Sequence, residues 1–446
     1  MDGDTLRMYC CGPTVYGPAH IGNFRTFVMQ DVFRRVLEVG GVKVRHVRNI
    51  TDVDDKTIAR SQEEKRSLND FTAGWTEKFH ADEEALNILS PHVEPSAVDH
   101  IPEQIEMIQD LVDKSHAYRA EDGSVYFDVS SFPDYGKLSR LKERSITTNN
   151  VERETSDEYE RESAADFVLW KARREEDGPN YWESPWGQGR PGWHLECSAM
   201  CKKHLGDTFD VHSGGVDLLF PHHENEIAQS ECCSGETFVK HWFHITHLMV
   251  DNAKMSKSLG NLYTLADLEE KGFTAEELRY VLLSGSYRQP LNFTLDSLHA
   301  AQKALSKLRD LKEKIGLDDS VENGEENFGP FGPVLEALQA DMNTPAALGK
   351  LFTAAKELQS AELTEDELAA ARSGFGLAMR AFGFRLEAPE EAGGSDVPEE
   401  IQALAQQRWD AKQNKDWGAA DALRDQVQAA GYQIEDQKDG FIVVKG

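Results

Sequence analysis

The chain is poor in positive charge and has no long apolar segment. Its 446 residues carry 48 Lys and Arg against 78 Asp and Glu, a formal net charge of -30. This balance excludes a protein that holds nucleic acid through a bulk basic surface, although it allows a nucleic acid that is recognised locally. No stretch approaches the roughly twenty apolar residues of a membrane-spanning helix, and residues 1–7 lack the basic and apolar regions of a signal peptide. We therefore expect a cytoplasmic protein with no membrane partner.

Cysteine is scarce, and its arrangement does not indicate disulfide bonds. A disulfide framework is typical of small secreted domains, whereas this chain is long enough for about two to four ordinary domains. The pattern therefore indicates reduced thiols, some of them bound to a metal. The six cysteines are Cys10, Cys11, Cys197, Cys201, Cys232 and Cys233.

The beginning of the chain has the pattern of a strand, a helix and a second strand. A strand over 6–11 is followed by a loop rich in Gly and Pro, a helix over 20–39 and a valine-rich strand over 42–50. This order predicts a parallel crossover unit, whose ligands bind beyond the carboxyl ends of the strands. We therefore expect the loop that starts at Cys11 and the turn at Thr51 to face one pocket.

Patterns along the rest of the chain predict an α/β protein of several domains. We expect a Rossmann-like nucleotide-binding catalytic domain with a parallel sheet, followed by a helical bundle and a small C-terminal α+β domain. The strand-like runs 209–212 and 242–250 are expected to complete the catalytic sheet, which is therefore split in sequence. The predicted boundaries are 1–105 and 165–250 for the catalytic domain, 105–165 for an inserted connective subdomain, 251–300 for a connecting domain, 301–387 for the bundle, 388–397 for a linker and 398–446 for the C-terminal domain.

Side chains suited to a metal ion are concentrated at Cys197 and in the run from His222 to Glu226. His222 and Glu226 are four residues apart, so on a helix they project from one face. Thiolate, imidazole and carboxylate are ligands that zinc accepts. A tetrahedral site requires one more ligand than these three residues supply.

Two further motifs have the composition of phosphate-binding segments. In the segment 20–23, Gly22 lets a nucleotide approach the backbone, while His20 and Asn23 can donate hydrogen bonds to a phosphoryl group. In the segment 254–258, Lys254 and Lys257 stand in a predicted loop and suit a pyrophosphate leaving group. Each motif also has a plain alternative, a helix cap for the first and a solvated basic turn for the second. Their joint presence favours nucleotide chemistry.

With these two motifs the chain resembles the class I aminoacyl-tRNA synthetases. Four longer segments are similar to those of the cysteinyl-tRNA synthetases within that class, and the resemblance covers nearly the whole chain. Asn23 stands where the first motif usually ends in histidine. The four segments are 8–16, 48–56, 189–200 and 220–230.

The resemblance implies a set of site residues. It implies zinc ligands at Cys11, Cys197, His222 and Glu226, with Cys201 and His223 as other candidates. We expect His223 to point away from the face shared by His222 and Glu226, and Cys10 to lie in the core on the strand face opposite Cys11. The implied contacts to substrate cysteine are Trp193, Thr51, Asp217 and His212, each with a plain structural alternative. The implied catalytic and ATP-binding residues are His20, Gly22, Asn23, Lys254 and Lys257. In the tail, Arg408 and Trp417 stand in segments expected to precede a helix and are candidate tRNA contacts, with a packing role for Trp417 as an equal alternative.

The resemblance also implies a reaction in two steps. ATP, arriving with Mg²⁺, would activate cysteine to cysteinyl-adenylate, and the cysteinyl group would pass to tRNA(Cys). Selection of the thiol by zinc makes editing unnecessary, so we expect no editing domain, and we expect a monomer. Two rivals stay open: a cysteine ligase of thiol biosynthesis that uses an amino sugar as acceptor, and a zinc-stabilised nucleotide-binding scaffold. The tail after 398 favours the synthetase, because such ligases lack the tRNA-binding end.

Overall fold

The structure is a computed structural model that describes residues 4–141, 166–255, 259–317, 328–387, 398–414, 416–437 and 440–445. Three of the sequence predictions fall outside these residues: the 388–397 linker, Lys257 of the second phosphate motif, and the part of the inserted subdomain from 142 to 165. The chain forms two compact units, Met1–Leu386 and Glu387–Gly446.

The first unit contains both helices and strands, and among its described elements only helices follow β11. The described strands are β1 Thr5–Cys10, β2 Lys43–Arg48, β3 Ala117–Arg119, β4 Val125–Phe127, β5 Phe167–Ala172, β6 Gly189–Pro191, β7 Phe209–Gly215, β8 Val239–Ile245, β9 Leu248–Val250, β10 Ala253–Lys254, β11 Leu291–Phe293, β12 Tyr432–Gln437 and β13 Gly440–Lys445. The described α-helices are α1 Ile21–Val39, α2 Asp55–Glu63, α3 Leu68–Ala85, α4 Ile101–Asp113, α5 Trp193–Leu205, α6 Glu224–Ser234, α7 Leu265–Glu269, α8 Ala275–Leu283, α9 Leu295–Ile315, α10 Gly332–Gln339, α11 Thr344–Ser360, α12 Glu365–Phe382, α13 Glu399–Gln413 and α14 Trp417–Ala429.

A parallel sheet with the order β2-β1-β7-β8 lies in the first unit. Helix α1 crosses from β1 to β2, so the predicted crossover unit is confirmed, as is the sheet that is split in sequence. The predicted strand over 242–250 is divided instead, because the chain leaves this sheet after Ile245 and β9 joins β10 and β11 in a second sheet. Thr246 lies between the two sheets. Its backbone N–H donates to the carbonyl of Tyr287, and Arg25 Nε donates to the Thr246 carbonyl at 2.9 Å.

Alternate residues of β1 face two different cores. Met8 and Cys10 pack with α1, whereas Tyr9 and Cys11 pack on the other face with Cys197. This is the period of two that a strand imposes. The prediction that Cys10 lies in the core, on the face opposite Cys11, is confirmed.

Helix α1 is largely buried and is tied to the helical bundle through a charged junction. The helix ends at Val39, as predicted, and Gly40 is its C-cap. On its buried face, Asp31 pairs with Arg35 at 2.8 Å and with Arg279 of α8. Arg279 also donates to the carbonyl of Phe382, the last residue of α12, at 2.7 Å. The helix that begins at the first phosphate motif is therefore connected both to α8 and to α12 of the bundle.

A further, antiparallel sheet has the order β3-β4-β5-β6, and its first two strands lie in the inserted segment, the residues 105–165 that the sequence predicts as an insertion. Strands β5 and β6 extend this sheet to Pro191, whereas the sequence predicted that the insertion ends at 165. Phe127 of β4 pairs with Phe167 of β5, and their rings stack at a centroid distance of 4.9 Å. No local pattern indicates a pairing between strands so far apart in sequence, and the boundary at 165 stays a prediction.

The helices from α8 to α12 pack around an apolar core, as their spacing predicts. Four leucines that recur at helical spacing in α9 are fully buried: Leu298, Leu305, Leu308 and Leu311. In the second unit, α13 and α14 accompany the hairpin β12-β13, with Ile401 and Val427 in a small core. Among the residues that the structure describes, no helix has the length and apolar character to cross a membrane.

Candidate active site

A cleft of about 710 Å³ lies at the carboxyl ends of β1, β7 and β8. This is the edge at which parallel sheets bind ligands. The prediction that the loop after Cys11 and Thr51 share one pocket is confirmed. The sequence-predicted residues that line the cleft are Cys11, His20, Gly22, Asn23, Thr51, Trp193, Cys197, Asp217, His222 and Lys254.

Four predicted metal ligands converge at one end of the cleft. Each of Cys11, Cys197, His222 and Glu226 is at most 7% exposed, and their donor atoms all lie within 4.8 Å of one another. The two sulfur atoms are 3.9 Å apart, and His222 Nε2 lies 3.1 Å from Glu226 Oε1. A tetrahedral zinc ion with bonds of about 2.0 to 2.3 Å separates its donors by about 3.3 to 3.8 Å. The donor set therefore fits zinc in chemistry, and these two separations lie within about 0.2 Å of the tetrahedral range.

His223 does not point away from the cluster, so that prediction is wrong. Its Nε2 lies 3.4 Å from Cys11 Sγ, and its Nδ1 lies 2.8 Å from His244 Nε2. The reason is local: the turn Leu219–His223 before α6 is π-helical and contains Phe220 with non-helical angles of φ -144° and ψ 133°. α-Helical spacing therefore does not fix the direction of His223, although His222 still lies close to Glu226. A second set of converging donors consists of Cys11, His212, His223 and Glu226. Cys201 is buried in α5 and belongs to neither set.

Burial and mutual hydrogen bonds change the acidity of the cluster. A hydrogen bond with Cys11 lowers the pKa of Cys197 to about 6, against the effect of burial. Burial by itself lowers the pKa of His222, but Glu226 and Cys197 outweigh it and raise this pKa to about 10. Burial likewise opposes ionisation of Glu226, but His212 and His222 hold its pKa at about 2. These shifts favour the thiolate of Cys197 and the carboxylate of Glu226, the forms that bind a cation, whereas His222 is held protonated and would have to release its proton to a solvent base on binding a metal.

His20 and Asn23 form a reciprocal cap at the start of α1. The backbone N–H of Asn23 donates to His20 Nδ1 at 3.2 Å, and the backbone N–H of His20 donates to Asn23 Oδ1 at 3.0 Å. Burial lowers the pKa of His20, which favours its neutral form. Because Nδ1 accepts, the neutral ring carries its proton on Nε2, and because Oδ1 accepts, Asn23 retains its Nδ2 donors. The helix cap and the phosphate-binding interpretation are therefore compatible, since capping orients two donors.

Gly22 lies against the second phosphate motif. A Cβ at Gly22 would stand 2.1 Å from Met255 Cε, so the observed approach requires glycine. The backbone N–H of Ile21 donates to the carbonyl of Tyr263 at 2.9 Å. Lys254, in β10, lines the same cleft. The fold thus brings the first motif and the described part of the second motif together.

Three of the four residues expected to contact substrate cysteine line the cleft. Trp193 stacks on the ring of His222 at a centroid distance of 4.2 Å. Thr51 follows β2 and is buried, whereas Asp217 is exposed. The sequence therefore identified Trp193 and Thr51 in the wall of the cleft and Asp217 on its solvent-exposed side.

His212 occupies a different position from the other three. It is fully buried, and its Nε2 lies 2.8 Å from Glu226 Oε2. It is not among the described residues that line the cleft. His212 therefore contacts the carboxylate of Glu226 from the side away from the cleft, a position suited to orient a metal ligand.

Glu224, which the sequence placed in the metal-rich run, holds the inserted segment instead. Its fully buried carboxylate accepts hydrogen bonds from the backbone N–H groups of Gly136 at 2.9 Å, Leu138 at 3.4 Å and Ser139 at 2.8 Å. This arrangement fixes the loop 136–139 against the start of α6. No spacing in the sequence links these two segments, so sequence reasoning missed the contact.

The two predicted tRNA contacts in the second unit differ in exposure. Trp417 is the first residue of α14 and is 59% exposed. Arg408 lies inside α13, not before a helix as expected, and is 8% exposed. The structure therefore leaves Trp417 accessible to a partner and gives no support to a contact by Arg408.

Comparison with known proteins identifies the family. Residues 1–303 match the family model described as tRNA synthetases class I (C) catalytic domain, residues 333–387 match the DALR domain, and residues 394–441 match the cysteinyl-tRNA ligase anticodon binding domain. A cysteine–tRNA ligase of Opitutus terrae is 56% identical over 98% of this chain and 93% of that protein. The chain belongs to the cysteine–tRNA ligase family. Another cysteine–tRNA ligase, from Chlamydia caviae, is 45% identical over 99% of this chain and 94% of its own length. The family is one of ATP-dependent enzymes, and the resemblance seen in the sequence is confirmed.

Solved structures of other synthetases share the fold. A methionyl-tRNA synthetase of Mycobacterium tuberculosis bound by methionyl-adenylate has a TM-score of 0.58 at 14% identity and covers 93% of this chain and 96% of its own. A complex of LeuRS with tRNA from Agrobacterium radiobacter has a TM-score of 0.62 at 11% identity and covers 86% of this chain and 85% of its own. At these identities the likeness bears on the fold alone. The predicted α/β class with a Rossmann-like catalytic domain is confirmed.

Proposed function

We propose that the chain activates L-cysteine with ATP and transfers the cysteinyl group to tRNA(Cys). One observation carries the proposal: a single cleft is lined by thiol and imidazole groups, such as Cys197 and His222, and by the phosphate motifs that contain His20 and Lys254. A thiol substrate and a nucleotide can therefore meet there. Family membership supports tRNA as the acceptor.

In the first step, the carboxylate of cysteine attacks the α-phosphorus of ATP and pyrophosphate leaves. His20 Nε2–H and Asn23 Nδ2 donate hydrogen bonds to the phosphoryl oxygens as negative charge builds there. Lys254 and Lys257 neutralise the departing pyrophosphate, and Mg²⁺ arrives on ATP, held largely by its phosphates and water. In the second step, a terminal ribose hydroxyl of tRNA attacks the activated carbonyl and AMP leaves. Neither step requires a protein nucleophile, so positioning and electrostatics carry the rate.

We propose that Cys11, Cys197, His222 and Glu226 hold a resident zinc ion. This set contains two sulfur donors and leaves His212 to orient Glu226, which favours it over the set that includes His223. When bound, zinc would offer the thiolate of cysteine a coordination position that the hydroxyl of serine fills poorly. Because this selection acts on the substrate before activation, we expect no hydrolytic editing domain.

We further propose that the helical bundle over 301–387 and the C-terminal domain over 398–446 bind tRNA. The matches to the DALR domain and to the anticodon binding domain support these roles. Exposed Trp417 is suited to stack on an unpaired base. A tRNA-binding tail favours the synthetase over an amino-sugar ligase. We expect the enzyme to act as a cytoplasmic monomer.

Two assays distinguish this function from its rivals. Cysteine-dependent exchange of labelled pyrophosphate into ATP reports formation of the adenylate, and charging of total tRNA with labelled cysteine reports transfer. We expect both activities from the zinc-loaded protein. Exchange without charging would favour the amino-sugar ligase, and a lack of any exchange would favour the scaffold.

The zinc site is tested with paired cysteine variants. Cys197→Ser removes a proposed ligand, and Cys201→Ser changes a buried thiol one turn later in the same helix. Cys11→Ser and Cys10→Ser are a second pair, on opposite faces of β1. We expect zinc content, measured by mass spectrometry of the metal, and the preference for cysteine over serine to be lost only in Cys197→Ser and Cys11→Ser. Full zinc content together with unchanged discrimination in Cys197→Ser would reject the site.

A further inference from the structure

Arg25 is a buried cation that has no role in the proposed mechanism. It lies near the start of α1 and is 0% exposed. Among the described residues, no carboxylate forms an ion pair with it, and its Nη1 is buried without a hydrogen-bond partner. Burial lowers the pKa of Arg25 to about 10, so the guanidinium is still charged at neutral pH. A buried charge without a counter-ion costs free energy, so the contribution of Arg25 lies in what its other donors hold.

The other donors of Arg25 bind three backbone carbonyls in two separate segments. Arg25 Nε donates to the carbonyl of Thr246 at 2.9 Å, and Nη2 donates to the carbonyls of Ser286 and Gln289, each at 2.9 Å. The direction of these bonds is fixed, because a guanidinium only donates and a carbonyl only accepts. The N–H groups of a guanidinium lie in one rigid plane, so the three carbonyls are held in one arrangement.

Both segments lead into the small sheet β10-β9-β11, which carries Lys254. Thr246 comes shortly before β9, which begins at Leu248, and Gln289 comes shortly before β11, which begins at Leu291. Strand β10 contains Lys254 and pairs with β9, which in turn pairs with β11. The guanidinium therefore holds the small sheet at the points where the chain enters two of its three strands.

The helix that carries Arg25 also carries the donors of the first phosphate motif. His20 is the N-cap of α1, and the side chain of Asn23 completes the cap. We propose that Arg25 is a positioning residue that fixes the small sheet, and with it Lys254, relative to the phosphate donors His20 and Asn23. This inference rests on the proposed function of the cleft. Donors from both motifs must meet on one triphosphate, and a displacement of about 1 Å can lower a rate on the order of 100-fold.

The test uses Arg25→Lys, which keeps the charge but has a single nitrogen that cannot span the three carbonyls. We expect kcat for cysteine-dependent pyrophosphate exchange to fall about tenfold and KM for pyrophosphate to rise. The Kd for labelled cysteine, measured by equilibrium dialysis, should stay within about twofold, because the metal-ligand candidates lie on other elements. Arg34→Lys is the matched control, since Arg34 is in the same helix and donates to the carbonyl of Ser90 at 2.7 Å, and it should stay within about twofold on each measure.

Two measurements separate positioning from a merely structural role. In a Lys254→Ala background, Arg25→Lys should lower kcat by no more than about threefold, because the lysine that Arg25 positions is already absent. Hydrogen–deuterium exchange in Arg25→Lys should be faster at the amides of Thr246 and Leu291, which donate to the carbonyls of Tyr287 and His247. The amides of β1 and β7 should keep their wild-type exchange rates.

Arg25→Gln, which avoids an ammonium group in this buried position, should give the same pattern, so the test does not depend on the folding of one variant. Full additivity of Arg25→Lys and Lys254→Ala would overturn the proposal, as would wild-type amide exchange at Thr246 and Leu291. Equal weakening of cysteine and pyrophosphate binding would overturn it as well. A wild-type protein without cysteine-dependent exchange would reject the proposed function, whereas wild-type kcat in Arg25→Lys would reject this inference alone.

Discussion

Replacement of Glu224 by glutamine should loosen the inserted segment while leaving the metal-ligand candidates in place. The buried carboxylate accepts hydrogen bonds from three backbone N–H groups, those of Gly136, Leu138 and Ser139. In Glu224→Gln, one of its oxygens becomes an NH₂ group that faces these donors. A hydrogen bond to a charged acceptor contributes roughly 1.5 to 3 kcal/mol, and an unsatisfied buried polar group costs roughly 1 to 3 kcal/mol. We therefore expect the free energy needed to open the loop 136–139 locally to decrease by about 3 kcal/mol.

Hydrogen–deuterium exchange of the amides of residues 136–139 measures this loss. A decrease of about 3 kcal/mol corresponds to exchange that is roughly 100-fold faster. Glu231→Gln is the matched control, because Glu231 lies in the same helix and accepts a hydrogen bond from the backbone N–H of Phe238 at 3.1 Å. This control should leave residues 136–139 protected. Wild-type exchange rates at these amides in Glu224→Gln would refute the reasoning.

Two further changes test the cleft and the helix junction. Gly22→Ala places a Cβ where Met255 Cε now lies, and because that atom ends a flexible side chain we expect the protein to fold but pyrophosphate exchange to fall about tenfold. Met255→Ala in the same chain should restore part of the loss, and normal exchange in Gly22→Ala would contradict the contact. Burial by itself raises the pKa of Asp31, but Arg279 and Arg35 outweigh burial and hold this pKa below its usual value. The charged Asp31 therefore contributes its full stabilisation above about pH 4, the pKa of the unfolded state. This stabilisation is lost as pH falls through the lower pKa of the folded state. In urea unfolding we expect Asp31→Asn to lose about 3 to 5 kcal/mol at neutral pH and to approach wild type in acid, and a difference that does not vary with pH would argue against the ion pair.

Local periodicity was sufficient for the parts of the site that are close in sequence. The alternation of β1 placed Cys10 in the core and Cys11 on the opposite face, and the strand-helix-strand pattern predicted that Cys11 and Thr51 share the edge of a parallel sheet. The same reasoning held for His222 and Glu226 but failed at His223, because the turn Leu219–His223 is π-helical and contains the non-helical Phe220. Period arguments hold only inside the element that imposes the period.

By itself, the sequence determined the chemical types that the cleft contains: thiols, imidazoles, two phosphate motifs and the elements that carry them. Only the tertiary structure decided which of these groups meet. Glu224 holds a loop of the inserted segment, His212 contacts Glu226 from the side away from the cleft, and Arg25 joins α1 to the segments before β9 and β11. The physical reason is that hydrogen-bond direction and donor spacing arise between segments far apart in the chain, whose approach is set by packing of the sheet and helices and leaves no mark in local spacing.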